Sequence, residues 1–278
     1  MSEYIIETKD LSFNYPDGTK ALKNVNIKIE KGKKISFIGV NGSGKSTLFL
    51  NFNGVLKPSN GDLIYKGDIV KYNSKSLLQL RKNVGIVFQD PENQLFSASV
   101  YQEVSFGAMN LKLEETEVRK RVDGALQGIG MYDYREKAVH FLSYGQKKRV
   151  SIADILVMNP EVIVFDEPTS SLDPKHSSQI VDIFDSINEK GITVILSTHD
   201  VELAYSWSDY IFVMRDGEVV KEGTPYEIFS DDKLISECYL QKPLILEIFQ
   251  NLVSSGKIKF EESVPRNKKE LLEIINSK

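Results

Sequence analysis

The chain has 278 residues, 41% of them hydrophobic and 27% charged, and a formal net charge of −4. This is the composition of an ordinary folded domain, without the basic surface that proteins binding duplex nucleic acid usually carry, so we expect no nucleic-acid partner. The single cysteine, Cys238, excludes an internal disulfide. No apolar run approaches the ~20 residues of a membrane-spanning helix, and the N-terminus does not resemble a secretory signal.

The first predicted elements are two strands, a glycine-rich loop and a helix. Val25, Ile27 and Ile29 alternate with polar residues, which is the pattern of a half-buried strand. A short apolar strand at 35–38 then runs directly into the loop, and a helix is expected from Lys45 onward. The loop between them reads Gly39-Val40-Asn41-Gly42-Ser43-Gly44-Lys45-Ser46.

This loop matches the complete phosphate-loop pattern, and it has the strand before it and the helix after it that the pattern requires. Glycines allow backbone amides to surround phosphate groups, and the N-terminus of the following helix attracts the same anion. Lys45 is predicted to reach the terminal phosphates and the Ser46 hydroxyl to bind Mg²⁺. The alternative, a glycine turn in an unrelated protein, does not explain this context.

Further apolar strands are predicted at residues 84–88, 162–165, 193–196 and 211–214, with helical segments between them. Such alternation favours an α/β fold with a mainly parallel sheet. Residues from about 91 to 148 are charged and helix-rich, and we interpret them as a helical insert. We predict that residues 1–230 form the main domain and that 231–278 form a C-terminal helical extension. Its apolar stripe comprises Leu244, Ile245, Ile248, Phe249 and Leu252, which could pack locally or on a partner.

Two acidic residues, Asp166 and Glu167, end the apolar strand at 162–165. Asp166 is predicted to bind Mg²⁺ directly or through water, and Glu167 to polarise the attacking water as a general base. The pattern alone is only moderately specific, since a carboxylate pair can also end a strand for no catalytic reason. The phosphate loop upstream makes the catalytic interpretation the better one.

Three other side chains are candidates for the same site. His199 follows the strand at 193–196, and Gln89 follows the strand at 84–88. Ligands gather at such strand ends in parallel sheets, so His199 could hydrogen-bond the γ-phosphate and hold Glu167, and Gln89 could contact Mg²⁺ or water. Tyr15 could stack on adenine, although a core tyrosine is the competing interpretation. His140 and His176 are given no role.

The segment Leu142-Ser143-Tyr144-Gly145-Gln146 completes a set of motifs, together with the phosphate loop, Asp166-Glu167, Ser170-Ser171-Leu172-Asp173 and His199. In this order they resemble the ABC ATPase family over about residues 4–225. The resemblance implies a phosphate-loop NTPase core with an antiparallel β subdomain. It also implies a head-to-tail dimer of two copies of this chain, or of this chain and a relative, in which Asp173 lies at the junction.

The resemblance implies specific ligands as well. Ser143, Gly145 and Gln146 would contact the ATP bound by the other subunit. The expected ATP-binding residues are Tyr15, Gly39, Val40, Asn41, Gly42, Ser43, Gly44, Lys45, Ser46, Thr47 and Gln89, and the expected Mg²⁺ ligands are Ser46, Gln89 and Asp166. One position departs from the family, because Tyr144 replaces the first of two signature glycines. A tyrosine there is strained if its φ is positive and tolerated if its φ is negative.

The segment from Val84 to Phe96 resembles the ATPases of energy-coupling-factor importers, and Val104–Gly107 with Leu142–Arg149 resembles their cobalt-type branch. The partners implied are a transmembrane coupling subunit and a substrate-binding membrane subunit, with this chain peripheral on the cytoplasmic face of the membrane. Asp90 and Glu92 could bind a basic residue of the coupling subunit, or form a solvated loop. Vitamin importers and other ABC importers are the main alternative; a DNA-repair ATPase is disfavoured because no long coiled coil interrupts the chain.

Overall fold

A computed structural model describes residues 3–258 and 264–276. Its strands, in chain order, are β1 (Tyr4–Asn14), β2 (Lys20–Glu30), β3 (Lys34–Ile38), β4 (Asn60–Tyr65), β5 (Asp68–Ile69), β6 (Val84–Val87), β7 (Val162–Phe165), β8 (Thr193–Thr198), β9 (Tyr210–Arg215) and β10 (Glu218–Gly223).

Helices fill most of the connections between these strands. They are α1 (Lys45–Phe52), α2 (Ser74–Asn83), α3 (Val100–Asn110), α4 (Glu115–Gly128), α5 (Tyr144–Leu156), α6 (Pro174–Asn188), α7 (Val201–Trp207), α8 (Pro225–Phe229), α9 (Asp232–Glu237), α10 (Leu244–Ser254) and α11 (Lys268–Asn276). Short 3₁₀ turns occupy Pro91–Asn93, Tyr132–Tyr134 and Val139–Phe141.

The larger sheet has six strands in the order β10-β9-β3-β8-β7-β6. Neighbouring strands from β9 to β6 pair in parallel, and only β10 runs antiparallel, against β9. A second sheet of four antiparallel strands has the order β2-β1-β4-β5. The predicted α/β fold class, with a parallel core sheet and an antiparallel subdomain, is confirmed.

The parallel arrangement brings the ends of four strands to one edge of the sheet. Ile38 pairs with Thr198 and Phe165 pairs with Leu196, while Val87 pairs with Phe165. The residues that follow each strand therefore project from the same edge, which is where α/β proteins bind ligands. Strand β6 is one residue shorter than predicted, because the amide of Phe88 donates to Gln94 Oε1 at 3.3 Å instead of continuing the ladder.

Alternate residues of the buried strands face two different cores. One face, which includes Ile163, Phe165 and Leu196, packs on α3, α4, α5 and α6. The opposite face, which includes Phe37 and Val164, packs on α1 and the antiparallel sheet. The helix α5 is thus anchored on the sheet by its apolar residues, while its N-terminal end lies near the edge that carries the strand ends.

The C-terminal helices pack on the end of the molecule formed by α7 and β9. Leu246 of α10 is buried in the cluster that contains Ala204 and Phe229, and Phe249 packs with Leu271 of α11. Local packing holds for only part of the predicted stripe, because Phe249 is buried while Leu244 and Ile248 are exposed, and Leu246, outside the stripe, is buried as well. Among the described residues, no helix is both long and apolar enough to cross a bilayer.

Candidate active site

The phosphate-loop segment forms a tight turn between β3 and α1. Gly39 and Gly44 have φ values of 148° and 104°, which side-chain-bearing residues rarely adopt. A Cβ on Gly44 would lie 2.7 Å from the carbonyl oxygen of Ala21, and one on Gly39 would collide with the backbone of Met214. Close packing against β2 and β9 therefore requires glycine at both positions and fixes the loop at the start of α1.

Polar groups of this loop are buried without their full set of partners. The Lys45 side chain is folded back, with Nζ donating to the carbonyl oxygens of Gly39 at 2.7 Å and Val40 at 3.2 Å. Burial lowers the pKa of Lys45, and the charges of Glu167 and Asp166 oppose that shift. Ser43 Oγ is buried with no hydrogen-bond partner among the described residues. A phosphate anion would supply acceptors for these groups, so the loop fits a nucleotide.

The loop forms one side of an open cleft of about 470 Å³, lined also by Tyr15, Gln89, Asp166 and Glu167. The Tyr15 hydroxyl lies 3.0 Å from Thr47 Oγ1, and its ring meets Phe13 edge-on. The structure thus brings Tyr15 to the rim of the cleft; stacking on adenine stays a prediction. Of the ATP-binding residues expected from the sequence, those that line the cleft are Tyr15, Asn41, Gly42, Ser43, Gly44, Lys45, Ser46, Thr47 and Gln89.

The two acidic residues are held by one serine at the end of β8. Ser197 Oγ donates to Asp166 Oδ1 at 2.6 Å and accepts a hydrogen bond of 2.9 Å from the amide of Glu167. The amide of Asp166 donates to the carbonyl of Val87. Ser197 received no role from its sequence pattern, although it lies at the same strand end that pointed to His199.

Glu167 combines an unusual backbone with a half-satisfied side chain. Its φ is 45° and its residue is only 8% exposed. Oε2 lies 2.8 Å from His199 Nδ1, while Oε1 is buried with no hydrogen-bond partner among the described residues. The His199 side chain itself is largely exposed, and His199 is not among the described residues that line the cleft. One carboxylate oxygen is therefore fixed, and the other is left to accept a hydrogen bond from a small ligand such as water.

The first turn of α5 carries the residues expected to act on a second nucleotide. Ser143 is the N-cap, with its Oγ accepting from the amide of Gln146 at 3.3 Å and the Gln146 side chain accepting from the amide of Ser143 at 3.0 Å. This reciprocal capping box fixes the start of the helix. In the part of the chain that the structure describes, Ser143, Gly145 and Gln146 do not line the cleft around Lys45. Within one chain, the start of α5 therefore lies apart from the phosphate-loop cleft.

Tyr144 begins the helix with a negative φ, so the strain considered for this position does not arise. Its hydroxyl donates to the carbonyl of Gln89 at 3.3 Å in the same chain. Gly145 packs on His176, where an added Cβ would lie 3.2 Å from the ring. His176, which received no role from the sequence, binds Asp173 Oδ2 through Nδ1 at 2.6 Å.

The acidic pair after Gln89 is already engaged within the chain. Glu92 Oε1 lies 2.6 Å from Lys147 Nζ, and Asp90 Oδ1 accepts from the amide of Glu92 at 3.0 Å. The hypothesis that both carboxylates bind a basic residue of a partner would thus require breaking an internal ion pair.

Known proteins resemble this chain in sequence. A family model described as ABC transporter matches residues 22–170. The energy-coupling factor transporter ATP-binding protein EcfA of Methanocaldococcus jannaschii is 50% identical over 258 residues, covering 93% of this chain and 92% of the relative. The protein EcfA3 of Clostridium perfringens is 47% identical over 263 residues, covering 94% of this chain and 92% of the relative.

Solved structures agree with the sequence relatives. The structure of cbiO1 from Clostridium perfringens, part of the ABC transporter complex cbiONQ, has a TM-score of 0.78 and 46% identity, covering 91% of this chain and all of that one. A dimeric ATP-binding cassette in a post-hydrolysis state, bound to ADP and Pi, has a TM-score of 0.73 and 30% identity, covering 80% and 99%. The chain is an ATPase that belongs to the ABC transporter family and, within it, to the ATP-binding proteins of energy-coupling factor transporters.

Proposed function

We propose that this chain powers an energy-coupling-factor importer by hydrolysing ATP between two ATP-binding subunits, with Glu167 as the general base. The observation that carries the proposal is the Glu167 side chain, whose Oε2 is held by His199 while its buried Oε1 has no partner in the described chain. A base fixed at one oxygen presents the other in a defined direction. A positioned base of this kind contributes about 10² to 10⁴ in rate.

The phosphate loop would bind and orient the nucleotide. Lys45 would exchange its contacts with Gly39 and Val40 for phosphate oxygens, and Ser43 Oγ would gain the partner that it lacks within the described chain. Gly39, Val40, Asn41, Gly42, Gly44, Ser46 and Thr47 supply backbone amides or hydroxyls, and Tyr15 supplies the aromatic ring for adenine. Phosphoryl transfer asks a protein mainly for this positioning and for charge stabilisation.

Mg²⁺ would be held by Ser46, Gln89 and Asp166. All three line the cleft and carry the hydroxyl, amide or carboxylate oxygens that this ion prefers. Asp166 is kept in place by its hydrogen bond from Ser197. When bound, the ion neutralises charge on the phosphates, and the chain's own contribution is to orient these oxygens.

A second subunit would complete each site. Ser143, Gly145 and Gln146 lie at the N-terminal end of α5, where the helix dipole favours an anion, and away from the cleft of their own chain. We propose that they contact the γ-phosphate of ATP bound by the partner, which is either a second copy or a related ATPase. The dimeric relative bound to ADP and Pi supports such an assembly.

The membrane partner would dock in an apolar groove of about 360 Å³ between the sheet and the helices α2 and α3. Its wall presents Phe96, which is 70% exposed and packs edge-on against the exposed Phe106 at 5.1 Å. Exposed aromatic pairs of this kind are typical of partner surfaces. The groove is therefore a suitable binding site for the apolar face of a short amphipathic helix of a transmembrane coupling subunit.

The carboxyl groups of Asp154 and Glu103 line the same groove. Asp154 Oδ2 accepts from Gln94 at 3.4 Å, while Oδ1 is buried without a partner in the described residues. Burial, and then the nearby charge of Glu103, raise the pKa of Asp154 well above its usual range. Glu103 already accepts from the amides of Phe96 and Ser97. A lysine or arginine of the coupling subunit would supply the donor for Asp154 Oδ1, so Asp154 is a better acceptor than Glu92, which is paired with Lys147. Sequence reasoning missed it because α5 offers no sign that this polar residue faces a groove.

For the transported solute we propose a transition metal such as cobalt or nickel. The proposal rests on the resemblance of Val104–Gly107 and Leu142–Arg149 to the cobalt-type branch and on the likeness to cbiO1 of the cbiONQ complex. A vitamin importer is the alternative, since the solute would contact the substrate-binding membrane subunit and not this chain. The chain would then lie peripherally on the cytoplasmic face of the membrane.

The experiment that tests this function is purification of the chain from its native membranes with its bound subunits, followed by reconstitution in vesicles. We expect a transmembrane coupling subunit and a substrate-binding subunit to co-purify, and ATP with Mg²⁺ to drive uptake of radioactive cobalt. Competition by a vitamin, with no cobalt uptake, would favour the alternative solute. A purified chain without ATP turnover and without membrane partners would contradict the proposal as a whole.

A further inference from the structure

Lys148 is a nearly buried lysine on α5, the helix whose first turn carries Ser143 and Gly145. Only 2% of its surface is exposed. The preceding residue, Lys147, instead reaches Glu92 in the loop after β6. Lysine is rarely buried without a specific partner, because removing an ammonium group from water is costly. The inward position of Lys148 therefore calls for a physical reason.

The partner of Lys148 is the backbone of Glu167. Lys148 Nζ donates to the Glu167 carbonyl oxygen at 3.2 Å. The same oxygen accepts from the amide of Ser170 at 3.2 Å and from Ser170 Oγ at 2.8 Å. These donors hold a residue whose φ of 45° is unusual for a side chain other than glycine. Since that backbone conformation sets the direction of the carboxylate, the donors also fix where Oε1 points.

Burial makes this contact costly for the fold. It lowers the pKa of Lys148 to about 8, against the opposing effect of Glu167, Asp90 and Asp166. A methionine would fill a similar volume without that desolvation cost. A charged group retained at such a position is a candidate for a functional role, because its desolvation cost is not offset by better packing than a methionine would give.

The same turn of α5 contacts the other catalytic loop. The Tyr144 ring lies 5.7 Å from Lys148 Nζ, and its hydroxyl donates to the Gln89 carbonyl. The start of α5 therefore donates hydrogen bonds to the backbone carbonyls of both Glu167 and Gln89 of its own chain. Movement of this helix would shift both loops together.

We propose that Lys148 is a positioning residue that holds Glu167 in its catalytic conformation and ties it to the helix that completes the partner's ATP site. This inference rests on the proposed function, in which Glu167 is the base and α5 acts on a second ATP. Lys148 touches no reacting atom in this role. It acts through the Glu167 carbonyl and joins the hydrolytic group of one site to the signature of the other.

The test compares Lys148→Met with Lys120→Met, a matched change at an exposed lysine of α4. For Lys148→Met we expect kcat to fall at least about tenfold with little change in KM for ATP, because binding does not use Lys148. We expect the melting temperature to stay equal or rise, because the buried charge is gone. Lys120→Met should match the parent chain in both measurements. Lys148→Arg, which keeps a charged donor, should recover part of the turnover.

Two results would overturn the inference. Turnover of Lys148→Met within twofold of the parent chain would show that Glu167 needs no support from α5. A loss of turnover that matches a lowered melting temperature and a raised KM, without recovery in Lys148→Arg, would assign Lys148 to structure alone. ATP turnover by the parent chain is measured first; its absence would contradict the proposed function and not this inference.

Discussion

The ATP cleft and the apolar groove each contain a carboxyl group with one buried oxygen that has no hydrogen-bond partner in the described part of the chain, but their surroundings differ. Glu167 lies near two ammonium groups, since its charge acts on both Lys45 and Lys148. Asp154 has Glu103 as its charged neighbour, and its pKa is raised. The two carboxyl groups therefore differ in the source of a cation: Lys45 and Lys148 of this chain lie near Glu167, whereas a cation for Asp154 would have to come from a partner.

The largest effect is expected from Glu167→Gln. The amide keeps the size of the side chain but cannot take a proton, so we expect ATP turnover to fall about 100-fold or more while ATP binding is retained. Single-turnover hydrolysis and nucleotide affinity measure the two properties separately. Turnover near that of the parent chain would show that Glu167 is not the general base.

The second prediction concerns the carboxyl group in the groove. Asp154→Asn removes the carboxyl group that would give up its proton and pair with a basic residue of the membrane partner, so we expect the affinity for that partner to fall at least about tenfold, as for a truncated buried charge pair. Co-purification and titration with the partner in detergent measure this. Asp182→Asn, at an exposed aspartate of α6, is the matched control. Equal affinity in both variants would exclude Asp154 from docking.

A smaller effect is expected from Ser197→Ala. The change removes the hydrogen bond to Asp166 and leaves the Glu167 amide without its acceptor, so we expect a loss of about 1–3 kcal/mol in unfolding free energy. Turnover should fall about three- to tenfold because both acids lose their common support. Denaturant unfolding and steady-state kinetics measure these, with Ser206→Ala on α7 as the control. Unchanged turnover would make the serine dispensable.

The last prediction is a dependence of stability on pH. The raised pKa of Asp154 means that the folded chain keeps a proton which the unfolded chain releases above its ordinary pKa of about 3.9. Stability from this group is therefore present at low pH and lost as pH rises through the folded pKa. We expect the melting temperature of Asp154→Asn to exceed that of the parent chain by an increasing amount as the pH rises above the ordinary aspartate pKa of about 3.9. A constant difference would contradict the raised pKa.

The sequence predicted those parts of the site that lie at strand ends. The phosphate loop, Asp166, Glu167 and His199 each follow an apolar run, and parallel pairing brings the ends of such runs together. The Glu167–His199 contact follows from this topology. Ser197 lies at the same edge, but its role could not be predicted, because a single serine within a strand belongs to no recognisable motif.

Other parts of the structure depend on long-range packing that the sequence does not display. Lys148 shares a buried helix face with Ser151 and Ile152. Helical spacing is compatible with this face, but a charged residue such as lysine is ordinarily expected to be exposed. Strands β4 and β5 were missed because β4 is mostly exposed in its first half and β5 has only two residues. The tail helix α10 buries Leu246 because it packs on α7 and α8. This contact could not be predicted from the local sequence pattern.

The central claim is that ATP joins two subunits, each supplying half of a site. Sedimentation of the Glu167→Gln chain with and without ATP, alone and mixed with any related ATPase that co-purifies with it, tests this most directly. We predict a shift from monomer to dimer on addition of ATP and Mg²⁺, abolished by a further Ser143→Arg change. A chain that remains monomeric at saturating ATP, both alone and with the related ATPase, would contradict the account.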